Sequence, residues 1–225
     1  MAGLRAASLA VTAFQQNCAI LFDQDSKQGL VVDPGGDVER ILAAIDQLGV
    51  TVERILLTHG HLDHAGGAAE LQEALRERAR DPAGVPIEGP DARDAFLLAC
   101  IEEQAATFGL DGMRDVTPDR WLAEGDQVRL GAHVFDVLHC PGHTPGHIVF
   151  VDRAAGFAVL GDVLFQGSVG RTDFPYGDHG ALIASITNKL LPLGDNVAFV
   201  CGHGPGSTIG VERLSNSFLR TGGQR

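Results

Sequence analysis

Three imidazoles and a carboxylate fall within the six residues His59 to His64 of the segment Thr58-His59-Gly60-His61-Leu62-Asp63-His64. Neutral imidazole nitrogens and carboxylate oxygens bind borderline divalent cations at about 2.0–2.2 Å, so such groups must converge within a few ångströms. An isolated His is more often satisfied by a hydrogen bond than by a metal; clustering reverses that reading. His143 in Cys140-Pro141-Gly142-His143-Thr144, Asp162 after Leu160-Gly161, and His203 in Cys201-Gly202-His203-Gly204 complete the set. Each follows an apolar run and sits beside Gly, where backbone can approach a ligand closely. His59, His61 and His143 are assigned to one metal, and Asp63, His64 and His203 to a second, with Asp162 bridging. Two cations sharing a water lower its pKa toward about 7, which makes hydroxide available at neutral pH. In such a centre Asp63 and Asp162 are the catalytic carboxylates, Asp63 also orienting the nucleophile. Zn²⁺, two per chain, is the favoured cofactor, although imidazole and carboxylate also suit iron and manganese. Asp33 and His147 are candidate supports behind the ligands; an Asp-Pro-Gly turn explains Asp33 equally well. His133, His139 and His179, and on a plainer reading His147, are ordinary hydrogen-bonded histidines.

The elements that position these residues are legible as apolar runs between turn signals. Strands are expected over Cys18–Phe22, Leu30–Val32, Arg54–Thr58, Val134–Leu138, Ile148–Val151, Phe157–Leu160 and Val197–Cys201, with a further first strand within Met1–Phe14. Strand geometry sends His59 and His61 to one side, and the turn into the following helix aims Asp63 and His64 elsewhere. Val38, Ile41, Leu42, Ile45 and Leu48 share one helical face in Asp37–Gly49, with Asp37 able to cap the start and Gly49 the end. Further helices are expected over Ala65–Arg80, Asp91–Phe108, Gly180–Leu191 and from about Val211. Asp23–Gly29 and Asp152–Gly156 read as hairpin connections, each followed by an apolar strand that ends in Asp. The halves therefore echo each other, and sheets packed face to face with helices outside fit that order. Asp81-Pro82-Ala83-Gly84 reads as a loop.

The chain of 225 residues, 44% hydrophobic, is long enough to close one core as a single domain over 1–225. Its 17 Lys and Arg against 29 Asp and Glu argue against a nucleic-acid partner, while a local cluster of cations can still hold a small anion. Cys18, Cys100, Cys140 and Cys201 lack paired spacing and read as reduced. No run approaches the ~20 apolar residues of a membrane span, so a cytoplasmic protein with no membrane partner is expected. The oligomeric state is not encoded in any pattern.

Taken together, the HxHxDH segment and the separated His, Asp and His resemble the metallo-β-lactamase superfamily over nearly the whole chain. The resemblance implies an αββα four-layer sandwich, of α/β (α+β) class. Val11-Thr12-Ala13-Phe14-Gln15-Gln16-Asn17-Cys18, Gly170-Arg171-Thr172-Asp173-Phe174-Pro175 and Cys201-Gly202-His203-Gly204-Pro205 are similar to the short, single-domain type II glyoxalases, which are hydroxyacylglutathione hydrolases. Asp162, where Cys or Ser could stand, suits that branch better than a β-lactamase. The implied reaction is hydrolysis of a glutathione thioester, S-lactoylglutathione to lactate and glutathione, by a metal-bridging hydroxide with the thiolate leaving. Arg171 stands where larger glyoxalases carry a basic residue that contacts glutathione, so the resemblance makes it a substrate anchor. Longer members add a C-terminal helical domain with further glutathione contacts, for which this chain has no room. An iron-dependent glutathione persulfide dioxygenase resembles the chain in length and in Gly170-Arg171-Thr172-Asp173-Phe174, and a lactonase or other ester hydrolase would share the nucleophile. The second-site set Asp63, His64 and His203, with Phe174-Pro175, favours hydrolysis. A metal-storage or scaffold role is disfavoured by the full ligand set.

Overall fold

In the strand Gln16–Asp23, Cys18, Ile20 and Phe22 enter one apolar cluster while Ala19 and Leu21 enter another. Both faces of that strand are therefore covered, which is why it reads as a continuous apolar run. The computed structural model describes residues 3–79 and 84–220. Strands β1 (Leu4–Val11), β2 (Gln16–Asp23), β3 (Gln28–Val32), β4 (Thr51–Leu56) and β5 (Ile87–Glu88) form one sheet in chain order, antiparallel from β1 to β3 and parallel from β3 to β5. The second sheet contains β6 (Gln127–Leu130), β7 (His133–His139), β8 (Ile148–Asp152) and β9 (Phe157–Val159). Between the next two members of that sheet's chain order lies a separate short hairpin, β10 (Leu164–Phe165) with β11 (Ser168–Val169). The sheet is completed by β12 (Ala198–Val200) and β13 (Ser207–Thr208), in the order β13-β12-β9-β8-β7-β6, with β12 parallel to β9.

Leu21, Leu30, Val32 and Leu56 of the first sheet meet Phe135, Val137, Ile148 and Phe150 of the second in the central cluster. The outer face of the first sheet packs on α1 (Val38–Leu48), α2 (Leu62–Ala65) and α3 (Ala68–Ala79), and on the pair α4 (Ala95–Leu98) and α5 (Ile101–Thr107). The outer face of the second packs on α6 (His179–Ser185), which continues as a π turn to Leu190, and on α7 (Ile209–Ser215) and α8 (Ser217–Arg220). Helix, sheet, sheet, helix is the expected αββα order. The echo is real as well: β2-β3-α1-β4 and β8-β9-α6-β12 each run hairpin, helix, then parallel strand. Among the described residues no helix is long and apolar enough to cross a membrane.

Several expected elements are corrected. Asp37 precedes α1 but makes no side-chain cap; its carboxylate accepts from Thr12 N at 2.9 Å and Arg40 Nη1 at 2.7 Å. Gly49 ends α1 at φ 65°, the left-handed conformation that a helix stop of this kind requires. The helix expected over Ala65–Arg80 begins earlier and breaks at Gly66-Gly67, where Gly67 N donates to Pro34 O at 2.9 Å instead of to the preceding turn, an approach so close that a Cβ on Gly67 would stand 2.7 Å from that oxygen; Arg80, like Asp81 to Ala83 of the expected loop, lies outside the described residues. Asp91–Phe108 is a turn and two short helices. Leu98 O accepts from Val116 N and Glu102 N donates to Asp115 Oδ1, so the segment after α5 takes the groups that would have continued one helix. The helix expected from Val211 begins at Ile209 and is followed by α8, and β4 stops at Leu56, two residues short of Thr58.

Candidate metal centre

All seven candidate ligands lie at one edge of the paired sheets. β4 delivers Thr58 and His59, which lie in the loop past the strand end, so loop geometry and not strand alternation brings His59 and His61 together. Asp63 and His64 lie on the single turn α2, for which His61 stands at the start in extended conformation. His143 lies in the loop between β7 and β8, Asp162 in the turn after β9, and His203 in the turn after β12.

His59 Nε2 and His143 Nε2 lie 3.0 and 2.9 Å from His61 Nδ1. The outer nitrogen of each ring is engaged. Thr58 Oγ1 donates to Asp33 Oδ2 at 2.7 Å and so accepts from His59 Nδ1 at 3.0 Å; His143 Nδ1 donates to Arg171 O at 2.8 Å; His61 Nε2 lies 2.9 Å from the Tyr176 hydroxyl. With outer nitrogens protonated, three lone pairs face one point, which is repulsive unless a cation occupies it. Burial, then the neighbouring His64, holds His59 well below the usual imidazole pKa; burial, then His143, takes His61 down to about 3. Burial also lowers His143. The trio is neutral, the protonation state a metal requires.

Asp63, His64 and His203 form the second group. His203 Nε2 lies 3.2 Å from Asp63 Oδ2, and His64 Nε2 lies 3.9 Å from the same oxygen. Asp162 stands between the groups: Oδ1 is 3.4 Å from His64 Nε2, and Oδ2 is 3.5 Å from His143 Nε2 and 3.7 Å from His203 Nε2. His64 Nε2 and Asp162 Oδ1 are buried and make no directed hydrogen bond. A pair of divalent cations would satisfy both, so the donor set fits two metals. Burial opposes charge on His64, but Asp162 and Asp63 outweigh it and lift its pKa well above the imidazole range; His203 is raised likewise against burial, first by Asp63. Burial also opposes charge on Asp162 and Asp63, and His64 overcomes it, holding both carboxyls below their usual range.

Behind the ligands, Asp33 accepts from Thr58 N at 2.7 Å and meets His64 Nδ1 at 2.9 Å, which turns Nε2 inward. His147 is fully buried, accepts from Asp162 N at 3.0 Å and stacks on His59 with ring centroids 4.7 Å apart. It supports Asp162 and does not point into either group. His133 pairs with Asp152 at 2.8 Å, His139 Nε2 meets Pro145 O at 2.8 Å, and His179 is exposed, all away from the centre. Arg171 lies at the cleft mouth with its guanidinium closed on Asp173 by two 2.7 Å bonds and its Cζ 4.5 Å from the Phe174 ring centroid.

Sequence reasoning missed five contributors. Asp94 accepts from Gly60 N at 2.9 Å and Thr144 Oγ1 at 2.6 Å, and from Gly146 N, so it joins the His59–His61 loop to the His143 loop. Gln16 forms a backbone bridge to His203, and Asn17 N donates to Gly202 O at 2.7 Å. Thr58 orients His59, and Tyr176, the only Tyr of the chain, orients His61. The residue-type signal was present only for the last. Five of the candidate ligands, His61, Asp63, His143, Asp162 and His203, floor a cleft of about 430 Å³ walled by Phe14, Phe108, Phe165, Phe174 and Tyr176.

A family model described as the metallo-beta-lactamase superfamily matches residues 11–203. Hydroxyacylglutathione hydrolase GloC of Haemophilus influenzae is 47% identical over 212 residues, 94% of this chain and 96% of that protein. The probable metallo-hydrolase YqgX of Bacillus subtilis is 33% identical, over 93% of this chain and 94% of its own. Among solved structures, a di-iron-bound form of TTHA1623 is similar with TM-score 0.82 at 37% identity, covering 95% of this chain and 100% of that one. The BLEG-1 B3 metallo-beta-lactamase gives 0.83 at 33% identity, covering 97% and 100%.

Proposed function

The chain belongs to the metallo-β-lactamase superfamily, and on that premise we propose that it is a two-metal hydrolase that cleaves a glutathione thioester such as S-lactoylglutathione. The observation that carries the two-metal reading is the Asp162 carboxylate suspended between two converging ligand groups. Likeness to GloC over 94% of the chain supports the thioester. His59, His61 and His143 would hold one cation and Asp63, His64 and His203 the other, with Asp162 shared. Bound there, divalent cations lower the pKa of water toward neutrality and polarise an acyl carbonyl. Zn²⁺ suits the donors, and the di-iron form of TTHA1623 supports iron as a second occupant.

The chain's own residues do the positioning. Thr58, Asp33, Tyr176 and the Arg171 carbonyl fix which ring nitrogens face inward. Asp63, which lines the cleft, orients the attacking water. A departing thiolate is stable near neutral pH and needs little acid assistance, so no separate proton donor is required. Arg171 at the mouth is the candidate anchor for a substrate carboxylate, and it would have to share its charge with Asp173.

Buried, unpaired Cys18, Cys140 and Cys201 support a reducing, cytoplasmic setting, and the acidic balance supports a small-molecule partner without nucleic acid. The shared central cluster supports one domain. The decisive experiment loads the protein with one defined metal at a time and measures thiol release from S-lactoylglutathione beside oxygen uptake with glutathione persulfide. Thiol release is expected; oxygen uptake without thioester cleavage would overturn the hydrolase reading.

A further inference from the structure

The two sides of the cleft differ in chemistry. Beside the three-histidine group, Phe174 lies 4.9 Å from the His61 ring and 5.6 Å from His143, with the Tyr176 hydroxyl and the Arg171 guanidinium adjoining it. That side is amphipathic and suits a peptide-like thiol. Beside His203 the wall is apolar. Phe165 packs edge-on at 6.3 Å from the His203 ring, and Phe14 meets Phe108 edge-on at 5.7 Å. The turn that carries Phe14 is tied to the His203 loop through Asn17 N to Gly202 O and the Gln16 bridge. Gln104 is the only amide among the residues that line the cleft.

Phe108 is 61% exposed, an aromatic ring left in water at the edge of a cleft. Such a ring gains most from a ligand that covers it, and aromatic rings gain further from edge-to-face partners at about 4.5–7 Å. A lactoyl group gains little there, because its methyl covers far less of that apolar wall than an aromatic ring would.

We infer that the side of the cleft formed by Phe14, Phe108 and Phe165 is an acyl subsite for aryl-bearing acyl groups, so that the enzyme prefers aromatic acyl thioesters to lactoyl thioesters. The inference rests on the thioesterase reading above. In the reaction, water oxygen bonds to the acyl carbon and the carbon–sulfur bond breaks. Sulfur leaves as the thiolate and takes up one of the water's protons from solvent, and the other is released as the acid ionises to the carboxylate.

The test keeps the thiol constant and varies the acyl group. With metal-loaded enzyme, S-mandeloylglutathione is expected to exceed S-lactoylglutathione in kcat/KM by about tenfold or more, the scale of discrimination that apolar contacts support. Calorimetric titration with two uncleavable thioethers supplies a readout independent of turnover: S-benzylglutathione is expected to bind at least about tenfold more tightly than S-methylglutathione. Phe108→Ala, at an exposed position that tolerates truncation, and Phe165→Ala should each reduce both ratios several-fold. Equal or reversed ratios in the native enzyme, with lactoylglutathione turned over, overturn the subsite alone. Equal thioether affinities together with failure of both thioesters overturn it along with the thioesterase reading. Ratios unchanged in both variants overturn the assignment to these phenylalanines.

Discussion

Asp33 illustrates how a ligand is made by the residue behind it. Its carboxylate takes the Thr58 amide and hydroxyl and meets His64 Nδ1, so one side chain orients two imidazoles. Asp33→Asn keeps the volume and loses one acceptor, and metal affinity at the Asp63-His64-His203 group should fall about 10- to 100-fold, as read by competition with a chelating dye. Tyr176→Phe removes the partner of His61 Nε2, and the half-buried ring position lets water replace it. Its effect should stay within about tenfold in metal affinity and about 1 kcal/mol in stability by denaturant titration. Burial pushes the Tyr176 phenol up to about 12, so it stays neutral at working pH and the pH–rate profiles of native and variant enzyme should coincide. The candidate ligands were legible in sequence because they are polar residues clustered in one short segment or set just past the end of an apolar run. Asp94 and Gln16 were not, since their partners lie 34 and 187 positions away (Gly60 and the His203 bridge) and neither belongs to a motif.

At the level of elements, the ligand turns are held by close backbone approach. Gly161 has φ +48°, and a Cβ there would stand 2.8 Å from His147 Nε2 and 2.5 Å from Thr58 Oγ1. Gly161→Ala should destabilise the protein by more than about 1 kcal/mol through the left-handed backbone and the clash, and should displace Asp162, seen as lower metal stoichiometry. Gly202 is as confined, since a Cβ would overlap Asp162 Oδ1. Asp94 acts across elements: its Oδ2 accepts from Gly60 N and Thr144 Oγ1 and its Oδ1 from Gly146 N, so Asp94→Asn leaves one or two of these donors without an acceptor, and a loss of about 1–3 kcal/mol in chemical denaturation is expected. Continuous apolar runs made β2 and β8 readable, and alternation made β7 so. Two-residue strands such as β10, β11 and β13 carry no period, and the interruptions at Gly66-Gly67 and Cys100 depend on Pro34, Val116 and Asp115, which no local window contains.

Across the whole molecule, two outer clusters and one central cluster bury the sheets, and the ligands are drawn from both. Metal binding must therefore report on the entire fold. A cation at 100 times its dissociation constant stabilises by about 2.7 kcal/mol per site, and at roughly 2–4 °C per kcal/mol for a chain of this size, chelation should lower Tm by at least about 5 °C. An unchanged Tm would argue that neither group binds a cation. The cleft walls have a different origin from the floor: Phe14 sits in the β1–β2 turn, Phe108 at the end of α5, Phe165 on the β10–β11 hairpin and Phe174 in the loop before α6. None of these four donates to the metal groups or takes part in the central cluster. Selectivity can thus drift by exchange of short peripheral segments while the reactive floor is inherited intact, which gives a physical basis for relatives with names as unlike as a hydroxyacylglutathione hydrolase and a B3 metallo-beta-lactamase sharing one scaffold.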